Sequence, residues 1–384
     1  MNLAMEIKQV RHWSTSRKIF WGIIGLILLQ GLYFSAVRFF SGLGAVTNLT
    51  DEFPWGFWIA FDVIGGVALA SGGFTLAFLV YIMGYHRYHS VVRPTILTAF
   101  LGYILVSVGL IYDLGKYFNI WHPLVMWNPH SVMFEVAWCV MLYSIVLFLE
   151  FLPVVLEKYN LSGPLRLLQK ITIPVVLLGV LLSTLHQSSL GSVYLIVPAK
   201  LHQLWYTPIL PLLFFLSAVT VGPAMVILES AVSARLFHRG LETHIIADLA
   251  DFQLVGIIVY LGVKIQDLFV RDVFGCLASG QFECFHFWGE ILLLVMAMLI
   301  LMIPGMRRHP KWIIGSATLT VLGILYNRFN VAWTGMLRSS GGEYTPAVGE
   351  IGISLFLVAL GLMAFYFIAK WLPIFPELKK RGEG

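Results

Sequence analysis

Along the chain, long and nearly continuous apolar runs are broken by short polar clusters. This is neither the alternation of a half-buried strand nor the single apolar stripe of a surface helix. Ten runs, at 19–38, 55–83, 94–112, 130–152, 171–189, 207–230, 252–271, 285–304, 312–328 and 350–370, approach or exceed the length a bilayer-crossing helix needs, about 20 mainly apolar residues. With no water in the hydrocarbon to satisfy the backbone, only helices or closed barrels span. Continuous runs exclude the in-and-out alternation of a barrel. The first run follows Lys8, Arg11, Arg17 and Lys18, as in a signal peptide, but its apolar core exceeds the usual roughly 7–15 residues, so it reads as a retained helix.

The loops give the direction of these helices. Cytoplasmic loops carry an excess of Lys and Arg, and any missed or extra span would exchange the sides of all later loops. With the N-terminus inside, 18 of the 25 basic residues fall on inner segments and six on outer ones (Arg38, Lys116, Lys200, Arg271, Arg328 and Arg338), while Lys264 lies within a span. The expected organisation is a cytoplasmic N-terminal segment 1–18, a polytopic membrane domain 19–371 and a cytoplasmic basic tail 372–384, with both ends inside. The fold class is therefore an all-α integral membrane protein of about ten transmembrane helices.

Composition agrees. The chain is 59% hydrophobic and 12% charged, where soluble domains carry about 25% charged residues. A soluble globular fold is excluded. A net charge of +5 would point to nucleic acid if it formed one patch, but the basic residues lie between apolar runs, so no nucleic-acid partner is expected. Three cysteines cannot supply the four thiolates of an iron–sulfur cluster. Cys276 and Cys284 share one loop and fit either a disulfide or two free thiols.

A charge near the bilayer centre costs at least ~2.5–3.5 kcal/mol, so ionisable residues inside spans are candidate functional groups. Asp62, Glu135 and Glu290 fall within about two turns of the outer ends of the second, fourth and eighth helices, and His186 ends the fifth on that side. Lys264, Asp267 and Arg271 share one face of the seventh helix, a pattern that also fits a structural ion pair. Asp113, Arg328 and Glu350 sit at outer helix ends, where acids are usually interfacial. The inner half holds Glu150 and Glu229. All eleven histidines fall in loops or at helix ends, so no haem b is expected. Two classes remain: a redox subunit exchanging protons and electrons with a lipid-soluble molecule, or a transporter. Transporter sites usually lie near the midplane on broken helices, and an off-centre polar cluster favours the first.

The strings PWGFWIAFDVIGGVALASGGF, WNPHSVMFEVAWCVMLY, STLHQSSLGSVYLIVPAKLHQLWYTP, LSAVTVGPAMVILES and YTPAVGEIGISL resemble the NrfD/PsrC family of quinone-interacting membrane subunits, and within it most resemble the HybB-type subunit of periplasmic nickel–iron uptake hydrogenases. The resemblance runs over most of residues 15–375. It implies two four-helix bundles, helices 2–5 and 6–9, flanked by helices 1 and 10, in the bacterial cytoplasmic membrane. It implies no haem or iron–sulfur cluster in this chain, with menaquinone or ubiquinone as an exchangeable substrate. A ferredoxin-like iron–sulfur subunit on the periplasmic side is the implied partner, and through it the large and small hydrogenase subunits. The same subunit type serves polysulfide, nitrite and other respiratory complexes. By motif, Asp62 in FWIAFD, Glu135 in NPHSVMFE and His186 in LHQSS are expected to serve quinone binding and proton exchange. Lys264, Asp267 and Glu290 join the quinone-binding set by depth and spacing, with the head group expected between helices 2, 4, 5 and 7. Glu135, Glu150 and Glu229 are the expected proton path.

Overall fold

The computed structural model describes residues 15–277, 279–339, 341 and 344–375, and these are helical apart from turns and connections. Ten long helices follow in order: α1 Thr15–Ser41, α2 Ile59–Ile82, α3 His89–Asp113, α4 Val132–Lys158, α5 Ser162–Val193, α6 Leu210–Leu236, α7 Thr243–Val270, α8 Phe282–Met302, α9 Pro310–Phe329 and α10 Val348–Trp371. Among the described residues all but α9 are long and apolar enough to cross a membrane. In α9 the apolar run is interrupted by Lys311, Asn327 and Arg328. It tolerates them because it packs against α6, α7 and α8 and buries Ser316, Thr320, Asn327 and Arg328 in protein rather than lipid. The chain is an all-α integral membrane protein.

Two rings of four helices form the core. α2, α3, α4 and α5 pack in one closed circuit, and α6, α7, α8 and α9 in another. The circuits meet where α6 lies against α2 and α5 and where α9 lies against the first turns of α2. α1 and α10 pair outside the circuits, with α10 leaning on α3. Lipid offers no hydrophobic drive to hold helices together, so close packing at small residues must do it. A Cβ on Gly31 would collide with Phe356 Cβ, and one on Gly352 with Gln30 Oε1. At the centre, a Cβ on Gly73 would fall 2.5 Å from Ala99 Cβ.

The connections divide the molecule into two faces. The long-loop face carries 42–58, 114–131, 194–209, 271–281 and 338–347; the short-loop face carries 83–88, 159–161, 237–242 and 303–309. Buried Arg38 ties α1 to the long-loop end of α3, donating to Tyr112 O at 2.7 Å and Leu114 O at 2.6 Å. On the short-loop face, ion pairs join Arg87 to Asp248 at 3.0 Å, Arg93 to Glu157 at 2.8 Å, and Arg307 to Asp251. Of the basic residues expected on the inner side, Lys8, Arg11, Lys379, Lys380 and Arg381 lie outside the described residues.

Several helix ends lie a few residues from where the sequence places them, and two of these differences move a candidate residue inward on the long-loop side. α5 runs on to Val193 and a 3-10 turn to Ile196, so His186 is interior rather than terminal. Gly191 permits the extension: a Cβ there would meet Leu210 O at 2.8 Å, so α5 can pass directly under the start of α6. α9 continues through a π-turn, Asn330–Thr334, and a last helical turn to Leu337, which removes Arg328 from the helix end and buries it completely.

Candidate functional site

Of the residues expected near the head group, Asp62 lies on α2, His186 on α5, and Lys264 and Asp267 on α7. These residues belong to three polar centres, each held by different helices.

The first centre is Asp62. It sits in a π-turn, Ile59–Gly65, that opens α2. Such turns are rare and concentrate at functional sites. Its side chain points away from α4 and α5: Oδ2 accepts from Ser354 on α10, and Gly109 of α3 lies against its Cβ. The carboxyl is 8% exposed and lines a cavity of about 720 Å³ between α1, α2, α3, α6 and α10.

The second centre fills the first ring. His186 is fully buried, with neither ring nitrogen hydrogen-bonded, and its ring lies 5.6 Å from that of Tyr103, which in turn lies 4.6 Å from that of Tyr143. The buried hydroxyls of Tyr103 and Tyr143 both face that of Ser183, and none of the three makes a well-aligned hydrogen bond. A buried polar group left unpaired costs about 1–3 kcal/mol, and several on one column are groups suited to bridging by water. Two turns along α4 from Tyr143 lies Glu150. Its Oε1 stands over Gly179, where a Cβ would approach to 3.2 Å, and it lines a cavity of about 250 Å³ with Tyr81, Arg93 and Glu157 toward the short-loop face.

The third centre lies inside the second ring. Glu290 on α8 is fully buried and accepts from Lys264 on α7, from Asn330 Nδ2 at 2.8 Å, Asn327 Nδ2 at 3.1 Å and Trp205 Nε1 at 3.3 Å. Asp267 is not Lys264's partner. It accepts from Arg271 at 2.6 Å and from Thr207 at 2.6 Å, and Arg271 also donates to Gln203 O and Tyr206 O. This pair therefore fastens the 203–207 loop to α7. In the same loop, burial lowers the His202 imidazole below its usual range, with Arg338 adding to that and Glu283 opposing it. Arg328 lies over the Phe214 ring at 3.6 Å and donates to Ser217 Oγ at 2.6 Å.

The remaining candidates are placed as follows. Glu135 is exposed in the first turn of α4, next to the N-cap Ser131, where a negative charge meets the positive end of the helix dipole. Glu229 on α6 accepts from Thr95 at 3.2 Å and Ser233 at 3.4 Å. It is separated from Glu150 by α3, which turns Thr95 toward one and Val92 and Ile96 toward the other. Glu350 caps α10 and receives Tyr344, whose hydroxyl burial drives upward from its ordinary range. Cys139, Cys276 and Cys284 are unbonded, and the Cys284 thiol donates to Cys276 O at 2.8 Å. The sequence reading missed Tyr103, Tyr143, Ser183, Ser354, Asn327 and Asn330. The string NRFN at 327–330 was the one legible signal for the last two.

Two interlocking four-helix circuits with ionisable side chains held inside them define a polytopic membrane protein built for chemistry at membrane depth. The chain belongs to the polysulphide reductase NrfD family, whose profile matches residues 45–339. A protein of Nitratidesulfovibrio vulgaris is 41% identical over 388 residues, covering 96% of this chain and 98% of its own. The probable Ni/Fe-hydrogenase 2 b-type cytochrome subunit of Escherichia coli is 33% identical over 363 residues, covering 93% of each chain. The integral membrane subunit of menaquinone reductase from Nitratidesulfovibrio vulgaris is 28% identical over 399 residues, covering 95% and 93%. A b-type haem takes axial side chains from inside a bundle. Among the described residues His186 is the one buried imidazole, faced by tyrosines rather than by a second histidine, an arrangement that does not fit bis-histidine ligation.

Proposed function

We propose that this chain is the quinone-reactive membrane subunit of a respiratory oxidoreductase of the nickel–iron hydrogenase type, in the bacterial cytoplasmic membrane. An iron–sulfur subunit docks on the long-loop face, the periplasmic one, and links the quinone pool to the large and small hydrogenase subunits. The observation that carries the reading is Asp62: a buried carboxyl in a π-turn near the long-loop face, open to a lipid-side cavity, in a chain of this family. A quinone that receives two electrons takes up two protons to become quinol. Asp62, with Ser354 as its hydrogen-bond partner, exchanges a proton with the head group. The His186–Tyr103–Tyr143 column and Glu150 supply protons from the short-loop side, with waters bridging the hydroxyls. Glu135, at the helix dipole, and Glu229, beyond α3, stand off this column. The Lys264–Glu290 centre, whose carboxylate is held by Lys264, Asn327, Asn330 and Trp205 of the 194–209 loop, ties that ring together. The menaquinone reductase relative supports a second reading, the same quinone chemistry with a different catalytic partner. Partner identification after co-purification separates the two.

The test is Asp62→Asn in the purified complex. Quinone reduction should fall about 10²–10⁴-fold, the loss usual for one proton-transfer group, while the partner subunits reduce a soluble viologen dye at the wild-type rate. Unchanged quinone kinetics would refute the assignment, and equal loss of both activities would mean failed assembly.

A further inference from the structure

The cavity beside Asp62 is larger than the Glu150 cavity and unlike it. Its walls are almost entirely apolar, it opens between the α1–α10 pair and the core, and it extends along α6 from Met225 to Leu236, about 16 Å of helix. Its volume, about 720 Å³, is in the range of specific ligand sites, roughly 300–1,000 Å³, which are mostly apolar with a few placed polar groups. Here those groups are Asp62 at the long-loop end and Glu229 and Ser233 at the other. A Cβ on Gly102 would meet Ala70 Cβ at 3.1 Å and one on Gly66 would meet Val106 Cγ2 at 3.0 Å, so α2 and α3 pack closely at these two levels of the wall.

We infer that this cavity holds the polyprenyl tail of the quinone, entering between the α1–α10 pair and the core, with the head group at Asp62. The inference rests on the quinone reading above and adds a path for the tail. A neutral head group on an apolar chain matches a cavity whose buried charged groups are carboxyls. A phospholipid would bring a phosphate toward the same acids, and among the residues lining the cavity the one cation is Arg235, exposed at the short-loop mouth. It also gives α1 and α10 a task outside the two circuits, since Trp21, Leu357 and Tyr366 form the lipid-side wall.

Leu228 on α6 and Leu101 on α3 line the cavity from two different helices, neither of them the helix that carries Asp62. In the purified complex, Leu228→Trp and, separately, Leu101→Trp should raise KM for a long-tailed menaquinone at least fivefold, with kcat unchanged and with the kinetics of a tail-less naphthoquinone as in wild type. Equal effects on both quinones, or none on either, would overturn the tail assignment. So would mass spectrometry showing that a phospholipid co-purifies with wild type and is lost in Leu228→Trp while the long-tail KM is unmoved. Absence of turnover with either quinone in the wild-type complex would instead refute the quinone reading itself.

Discussion

Glu290 accepts from four donors, and of these Lys264 alone is charged. The three neutral donors satisfy lone pairs but leave the charge balance to a single ammonium. Removing one partner of a buried pair strands the other, at about 3–5 kcal/mol. Glu290→Gln and Lys264→Met should each therefore lower the thermal unfolding midpoint in detergent markedly. The double variant Lys264→Met/Glu290→Gln, which keeps an acceptor for Asn327, Asn330 and Trp205, should recover most of the loss. A double variant no better than either single would show that the charges are not coupled. The sequence made Lys264 and Glu290 legible because charge inside an apolar run is conspicuous. It hid Tyr103, Tyr143 and Ser183 because neutral hydroxyls are ordinary in membrane helices, and their significance lies in burial without well-aligned hydrogen bonds, which only the packing reveals.

Helix number, order and direction of packing were legible, since each rests on some 20 residues of composition. Helix ends were not. His186 and Arg328 were both placed at termini because polar residues were read as stops, whereas α5 and α9 carry on past them. What decides such boundaries is a contact far along the chain, as at Gly191, whose missing side chain leaves room for Leu210 O and Pro211 Cα, each 2.8 Å from where a Cβ would stand. Both neighbours are backbone and cannot turn aside, so overpacking there should cost roughly 1–3 kcal/mol. Gly191→Ala should lower the unfolding midpoint and loosen α5 against α6, seen as faster hydrogen exchange over 186–196. Gly163→Ala, near the start of the same helix with open space around it, is the control that should leave both unchanged. Equal behaviour of the two variants would remove the close approach as the reason α5 extends.

The whole molecule is asymmetric across the bilayer, and energy coupling depends on that asymmetry. In the proposed function electrons arrive on the long-loop side, and if the two protons of quinol formation come from there too, turnover moves no net charge. If they come from the short-loop side, each charge crossing is worth about 2.3 kcal/mol per 100 mV. The first ring offers a column for the second case: the Glu150 cavity of about 250 Å³ at one end, then Tyr143, Tyr103 and His186. Glu135 and Glu150 share the long axis of α4, but fifteen residues span about 22 Å, and Glu135 is exposed at its far end. On the proposed path it is the neutral hydroxyls between α3, α4 and α5, not Glu135, that bridge that distance. In liposomes containing the complex, wild-type quinone reduction should generate a potential read by a voltage-sensitive dye. Glu150→Gln should abolish that potential and slow quinone reduction while dye reduction by the partner subunits is unaffected, and Glu135→Gln should stay electrogenic. A wild type that moves no charge would eliminate the path, and an electrogenic Glu150→Gln would move its entrance elsewhere in the ring.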